Sequence, residues 1–167
     1  VFGGAGNDLL SGGAGSDRLN GGTGFDVAIQ EGKRSDYSIT LDGAGIKLTH
    51  IASGVVDSLV DVQQVRFETG PILTVAHSAA EEAAAFLFQK WMGRDLTQSE
   101  GAVIQTLDGL SAVQVAGLFA QVYPKQAAGK TAQQLLDGME AAGAIRVDAD
   151  RYTTYVGDAD DNTFTPT

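Results

Sequence analysis

Three nine-residue units follow one another without a gap at residues 3–29, and they limit the folds open to this chain. Every unit has glycine at positions 1, 2 and 4 and aspartate at position 6, while position 8 holds Leu10, Leu19 or Ala28. Such a short period predicts stacked coils, in which each unit contributes one glycine-rich turn and one very short strand. Two units would form one coil, so that each turn stacks on the turn two units away. A flexible glycine-rich linker is the alternative, but a linker has no need for an aspartate at every ninth residue.

The turns have the composition of a calcium site. Calcium is a hard cation that takes about six to eight oxygen ligands from carboxylates and carbonyls. One aspartate in each turn supplies charge, and the glycines let backbone carbonyls point towards a common centre. Without the ion the facing carboxylates repel each other, so we expect this segment to be unfolded without metal and folded with it. The candidate calcium ligands within the repeats are Gly3, Ala5, Asp8, Gly12, Ala14, Asp17, Gly21, Gly22, Gly24 and Asp26.

Stacking limits how many calcium sites are complete. Units one and three lie on the same side of the coil, so Asp8 and Asp26 are predicted to flank one complete site. Asp17 of unit two needs a partner two units away, and Asp36 follows it by nearly that distance. Asp36 is therefore the candidate outer ligand of a second site. A solvent-exposed turn aspartate is an alternative interpretation of Asp36 with equal weight.

The unit pattern Gly-Gly-x-Gly-x-Asp-x-U-x, where U is a large apolar residue, resembles the repeats-in-toxin family, whose repeats build a calcium-binding parallel β-roll. Three consecutive matches carry the resemblance. It implies a calcium cofactor and an exported bacterial protein, either secreted or held at the cell surface, with type I secretion as the route. The chain opens on Val1 inside the repetitive pattern, so we expect it to be a segment of a larger protein.

Strand and turn signals replace the repeat after the third unit. Residues 37–41 and 46–51 alternate apolar and polar side chains around a glycine-containing turn, which predicts a β-hairpin. Residues 62–67 form a further predicted strand. This order, with Asp57 between hairpin and strand, resembles the segment that commonly follows such repeats in secreted bacterial proteins. We expect a cap over the open end of the roll, so that residues 1–75 form a calcium β-roll with a β-hairpin cap.

Helical signals fill the second half of the chain. Four capping boxes, in which Ser or Thr precedes Glu or Gln by three residues, predict helix starts. The capping residues are Ser78, Thr97, Ser111 and Thr131. The predicted helix ends lie near Met92, Leu107, Tyr123 and Gly143. Residues 76–147 are therefore predicted to be a small helical bundle of about four helices with Trp91 and Phe119 in its core, and the fold class is α+β.

Part of the helical half resembles a small helical domain found beside calcium repeats in bacterial secreted proteins. The resemblance rests on residues 87–95 and 110–119, although Phe88 stands where that family has tyrosine and the family's later Tyr-Trp pair is absent. No activity is established for that domain, so the resemblance implies no chemistry. We interpret Arg94 as a helix C-terminal cation, in preference to a partner of Asp95 or a ligand-binding residue.

Residues 148–167 are predicted to be a linker followed by the start of a further repeat array. Residues 156–164 resemble the entry to such an array, with Asp160 where glycine is usual. An EF-hand loop is rejected here, because the glycine at loop position six and the closing glutamate are missing.

The charge of the chain excludes several classes of partner. It has 21 acidic and 11 basic residues and a formal net charge of -10, whereas nucleic-acid binding needs a basic surface. No apolar run is long enough to span a bilayer, so we expect no membrane insertion. There is no cysteine, which excludes disulfides and thiolate zinc sites. The expected partners are calcium ions, neighbouring domains of the parent chain and an unidentified protein or glycan.

Catalytic motifs are missing from the sequence. The two histidines, His50 and His77, do not form a His-Glu-x-x-His motif, and no Gly-x-Ser-x-Gly or P-loop lysine occurs. We therefore expect no active site within this segment. The first hypothesis is a calcium-dependent structural and folding module of a large exported protein. The alternatives are an adhesion module whose helical unit recognises a protein or glycan, and the C-terminal secretion and folding domain of an exported hydrolase.

Overall fold

A computed structural model describes residues 1–43, 45–139, 144–148 and 151–152. The strands are β1 (Phe2–Ala5), β2 (Leu9–Leu10), β3 (Arg18–Thr23), β4 (Val27–Lys33), β5 (Tyr37–Asp42), β6 (Gly45–His50), β7 (Val56–Val60), β8 (Gln64–Thr69), β9 (Leu73–Ala76), β10 (Ile145–Arg146) and β11 (Arg151–Tyr152). The α-helices are α1 (Ala79–Leu87), α2 (Gln98–Gln105), α3 (Ala112–Val122), α4 (Pro124–Ala127) and α5 (Ala132–Leu135). The predicted helix end at Gly143 and the predicted repeat entry at 156–164 lie outside the described residues.

The repeat units form parallel coils. In the pair β1 and β3, Phe2 lies opposite Asn20, and in the pair β2 and β4, Leu9 lies opposite Val27. Both offsets are 18 residues (20 minus 2, and 27 minus 9), which equals two nine-residue units. The prediction that two units form one coil is therefore confirmed.

The apolar side chain at position 8 of each unit points into the roll. Leu10, Leu19 and Ala28 are all almost completely buried and belong to one core cluster between the two sheets. Burial of a leucine side chain stabilises a fold by about 1.5–3 kcal/mol. These short strands thus gain their stability from one inward side chain each, and the turns between them remain at the edge of the roll.

Two strands after the repeats extend the roll on both sheets. β7 pairs in parallel with β3, and β8 pairs in parallel with β4. The predicted hairpin is confirmed as β5 and β6, which pair antiparallel, and β6 continues antiparallel to β7. β7 was not predicted, because Asp57 points inward where an apolar residue would be expected and is only 3% exposed.

The four capping boxes start the helices as predicted. Ser78, Thr97, Ser111 and Thr131 each accept a hydrogen bond from the backbone N–H three residues later, at the starts of α1, α2, α3 and α5. Helix α1 continues as a π-helical turn over Phe88–Met92, and α4 begins with Pro124. No helix in the described residues is long and apolar enough to cross a membrane.

The helices share a second core cluster that contains Leu87, Phe119 and Leu135. Phe119 is buried, as expected. Trp91 is half-buried at the edge of the cluster rather than inside it. Polar contacts explain this position at the edge. The indole N–H of Trp91 donates to the carbonyl of Leu135 at 2.9 Å, and the Lys130 ammonium lies over the Trp91 ring.

After the helices the chain returns to the β-sheet. β10 pairs in parallel with β9, with Ile145 opposite Val75, and Ile145 and Val147 pack in the β core. The predicted boundary at residue 147 places these residues with the helices, whereas the structure packs them with the strands. The buried ion pair of Glu82 in α1 with Arg146, at 2.8 Å, joins the two parts of the fold.

Candidate metal centre

Glycine is required in the repeat turns for two physical reasons. The glycines at positions 2 and 4 of all three units have positive φ angles, which side chains of L-residues rarely adopt. Close packing adds a second requirement: a Cβ on Gly22, at φ 92°, would lie 2.0 Å from the carbonyl oxygen of Gly4 in the coil beside it. The turns therefore stack so closely that backbone carbonyls of one unit lie against the backbone of another.

Asp8 and Asp26 lie in one stack of turns, as predicted. The backbone N–H of Asp8 donates to Asp26 Oδ1 at 2.8 Å. Asp26 is completely buried and Asp8 is half-buried. The second carboxylate oxygen, Oδ2, of each aspartate is buried without a hydrogen-bond donor. Two buried carboxylate oxygens without donors on neighbouring turns are groups that could hold a cation.

Backbone carbonyls accompany these oxygens. A Cβ on Gly3 would lie 2.6 Å from the carbonyl oxygen of Gly21 and 2.7 Å from Asp8 Oδ2, so both oxygens crowd the same space. Ala5 lies at the end of β1, opposite Thr23. Not every predicted carbonyl ligand is unpaired, because the carbonyl of Gly24 accepts a hydrogen bond from Gln105 Nε2 at 2.7 Å.

The electrostatic environment of Asp26 favours a positive charge beside its carboxylate. Burial raises the pKa of the Asp26 carboxyl above its ordinary value, a hydrogen bond from the Asp8 backbone N–H opposes this, and the charges of Asp8 and Asp61 raise it further. A bound divalent cation would reverse this balance, because it stabilises the ionised carboxylate.

The second stack contains Asp17 and Asp57, whose place beside Asp17 the repeat period did not indicate. The backbone N–H of Asp17 donates to Asp57 Oδ1 at 2.8 Å, which repeats the contact between Asp8 and Asp26. Asp57 Oδ2 accepts from Gln30 Nε2 at 2.7 Å. Asp17 Oδ2 is buried without a donor.

Asp36 does not lie beside Asp17 in this stack, and the structure places it in a turn, which agrees with the turn part of the alternative interpretation. Its carboxylate accepts from the backbone N–H of Lys33 at 3.1 Å and closes a 3₁₀ turn at Arg34–Asp36. The hairpin of β5 and β6 intervenes before the chain returns beside β3, so the stacking partner lies 40 residues after Asp17 rather than 18. A regular repeat period could not reveal such a partner.

A polar cavity of about 360 Å³ lies between the unit-two turn and the cap. Gly12 and Ala14 line it from the repeat, and Glu31, Asp57 and Glu68 are among the cap residues that line it. The cap thus provides acidic side chains on the side where a further repeat turn would otherwise stack.

The residues present fit calcium, with the carbonyls as the larger part of the ligand set. No group of three or more His, Asp or Glu side chains in the described residues converges closely enough to hold a metal ion. Any site must therefore combine one or two carboxylates with backbone carbonyls. Calcium accepts such a set, since it tolerates flexible coordination by about six to eight oxygens.

Helix α2 lies directly on the turns of units one and three. Gln98 Nε2 donates to the carbonyl of Asp8 at 2.9 Å, and Gln105 Nε2 donates to that of Gly24. Phe25 occupies position 5 of unit three, where the other units have polar residues, and its buried ring contacts Gly101 of the helix. The helical unit is thus fixed to the same turns that carry Asp8 and Asp26.

A match to a family model agrees with these turns. Residues 1–28 match the family model described as RTX calcium-binding nonapeptide repeat (4 copies). Among solved structures, the extracellular lipase LipA from Serratia marcescens is similar over 47% of this chain, with 23% identity and a TM-score of 0.34. The match covers 15% of the lipase chain. A comparison with the curated proteins gives no match.

Proposed function

Because residues 1–28 carry RTX calcium-binding nonapeptide repeats, we propose that this chain is a calcium-dependent structural and folding module of a large exported bacterial protein. The observation that carries the proposal is the pair of buried carboxylate oxygens, Asp8 Oδ2 and Asp26 Oδ2, which have no hydrogen-bond donor. Calcium between the turns removes their repulsion and links the coils, so binding free energy becomes folding free energy. We assign no catalytic residue to this segment.

The same calcium chemistry is compatible with export, because calcium is far more concentrated outside the cell than inside it. Calcium sites of extracellular modules have dissociation constants of about 10⁻⁴–10⁻³ M, so they fill outside the cell and stay empty inside it. The chain would remain unfolded until it leaves the cell, which suits type I secretion, and would fold on meeting calcium. The helices then form one bundle-like unit attached to the loaded roll.

Circular dichroism and thermal unfolding, first with a chelator and then with calcium, test the proposal. Calcium at 100 times its dissociation constant stabilises the folded state by about 2.7 kcal/mol, which corresponds to an increase in Tm of about 5–10 °C. Asp26→Ala should remove most of this gain, because it deletes a ligand of the complete site. Asp17→Ala should remove less. An unchanged Tm and β signal on addition of calcium to the unmodified protein would contradict the proposal.

The second stack gives a sharper comparison between two aspartates. Asp57→Asn should weaken calcium-dependent stabilisation to about the same extent as Asp17→Ala, since both residues belong to one stack of turns. Asp36→Asn should leave it unchanged, because the Asp36 carboxylate closes a turn elsewhere. The opposite order of effects would restore Asp36 as the outer ligand.

An apolar groove on the helical unit favours a second candidate function, recognition of a protein partner. The groove holds about 290 Å³ between α1, α2 and α3, and Glu100 is the one charged residue among those that line it. Val103 and Val122 on its rim are 61% and 66% exposed. Apolar side chains of a protein fit such a lining better than a glycan, whose hydroxyl groups need hydrogen-bond partners.

The fluorescent apolar probe ANS tests this second candidate with the calcium-loaded protein. Val122→Ser should lower the ANS signal, whereas Val113→Ser should not, because Val113 is exposed on α3 but does not line the groove. Equal effects of the two substitutions would count against the groove. The third candidate, a C-terminal secretion and folding domain of an exported hydrolase, depends on the parent sequence and is tested by determining it.

A further inference from the structure

A non-repeat turn at residues 61–63 lies where a fourth unit would stack on unit three. Gln63 occupies the position of the repeat aspartate: its Oε1 accepts from the backbone N–H of Asp26 at 2.6 Å. Asp26 Oδ1 makes the equivalent contact with the backbone N–H of Asp8. The stack that begins with Asp8 and Asp26 therefore continues beyond the recognised repeats.

The arrangement of oxygens around the repeat site occurs again at this non-repeat turn. A Cβ on Gly21 would lie 2.0 Å from the carbonyl oxygen of Asp61 and 2.5 Å from Asp26 Oδ2. A Cβ on Gly3 would lie 2.6 Å from the carbonyl oxygen of Gly21 and 2.7 Å from Asp8 Oδ2. Both glycines thus face the same two groups, a carbonyl of the next turn and the aspartate of their own unit.

The conformation of Asp61 is the second unusual feature of this turn. Asp61 has φ of 52°, and it is the one residue other than glycine with positive φ in the part of the chain that the structure describes. Asparagine and aspartate tolerate this region better than other residues, at a cost in energy. The positive φ turns the chain directly after β7, where the Asp61 carbonyl lies against Gly21.

The carboxylates of Asp26 and Asp61 lie close enough at this turn to repel each other. Asp26 is completely buried, its Oδ2 has no hydrogen-bond donor, and the negative charge of Asp61 acts on it. Within the described residues the Asp61 carboxylate forms no hydrogen bond or ion pair. Its charge also acts on His77: burial lowers the pKa of that imidazole, but the contact with Glu81 and the charges of Glu81 and Asp61 raise it overall. Like charges at a buried site are unfavourable unless a cation lies between them.

We propose that a calcium ion binds between unit three and the turn at residues 61–63, outside the recognised repeats, with the carboxylates of Asp26 and Asp61 and the Asp61 carbonyl among its ligands. This site rests on the proposed function, because it shares Asp26 with the repeat site. It closes the calcium stack with residues from the cap, so that the roll needs no fourth repeat to complete it.

Calcium titration by isothermal calorimetry, with the whole chain and CaCl₂, tests the site. Asp61→Asn keeps the tolerance for positive φ and removes the charge, so it should lose one bound ion or weaken one ion by about tenfold or more. Asp61→Gly keeps the backbone conformation and the carbonyl, and should give the same result. Asp42→Asn, which removes an exposed carboxylate paired with Lys47 in the hairpin, is the matched control for charge and should bind as the unmodified protein does.

The outcomes separate this site from the proposed function. If the unmodified protein binds no calcium, the proposed function fails. If it binds calcium and both Asp61 variants bind the same number of ions with unchanged affinity, the site at Asp61 is overturned. Asp8→Asn should weaken the repeat site, while the loss caused by Asp61→Asn should still be measurable in that background.

Discussion

Gly101→Ala should destabilise the protein when Phe25 is present, but stabilise it when Phe25 is replaced by alanine. Gly101 lies inside helix α2, and a Cβ there would meet Cδ2, Cγ and Cε2 of the Phe25 ring at 2.2–2.4 Å. The ring is 3% exposed and cannot swing into solvent. The methyl group and the ring therefore compete for the same space at the contact between the helical unit and the repeat turns.

The magnitudes follow from packing and helix propensity. Overpacking costs about 1–3 kcal/mol, and replacing glycine by alanine in a helix returns about 1 kcal/mol, so Gly101→Ala should destabilise by up to about 2 kcal/mol. Phe25→Ala should cost about 3–5 kcal/mol by leaving a cavity. In the Phe25→Ala background the new methyl group enters vacated space, so Gly101→Ala should stabilise by up to about 1 kcal/mol. The propensity gain is common to both backgrounds, so the coupling energy equals the overpacking cost, about 1–3 kcal/mol.

Urea unfolding at saturating calcium measures all four proteins of this cycle. Fluorescence of Trp91, the single tryptophan, reports on the helical unit, and circular dichroism reports on the whole chain. Gly117→Ala is the matched control, because a Cβ on Gly117 in α3 has no neighbour within 4 Å and should be neutral or stabilising in both backgrounds. Additive effects of Phe25→Ala and Gly101→Ala, within about 0.5 kcal/mol, would refute the packing of α2 on the repeat turns.

Two ion pairs give further predictions. Arg94 forms a bidentate pair with Glu100, at 2.7 and 2.8 Å, and this contact lowers the pKa of Glu100 to about 2. A lowered folded-state pKa stabilises above the unfolded value and loses that effect as pH falls through about 2, so Glu100→Gln should lower Tm by about 2–4 °C at pH 7 and by less near pH 2. Glu82→Gln leaves the buried Arg146 without its partner on α1 and should cost about 3 kcal/mol in urea unfolding.

The ion-pair partner of Arg94 could not be predicted from the local sequence. The helix C-terminal interpretation is correct in position, since Arg94 follows the π-helical turn and Gly93 ends it with φ of 69°. Its partner, however, is Glu100 in the first turn of α2, not Asp95, whose backbone carbonyl it contacts. The partner is set by the path of the loop between the two helices, which no capping pattern specifies.

The sequence predicts the local and periodic features of the fold. The nine-residue period fixed the register of the coils, and position 8 identified the inward side chains, because each signal depends on neighbours one or two units away. The capping boxes located four helix starts for the same reason: the side chain and the N–H that it accepts are three residues apart. The contact of Asp8 with Asp26 could be predicted in the same way, because the two residues lie two repeat units apart.

The tertiary structure alone decided what lies beside the repeats once their period ends. Asp57 rather than Asp36 follows Asp17, the turn at Asp61 continues the other stack, and glutamines of α2 bind the turn carbonyls. These partners are separated by about 35–90 residues and share no fixed spacing, so only the packing of strands and helices brings them together. The repeat therefore specifies the calcium-binding turns, whereas the fold specifies which residues outside the repeat lie against them.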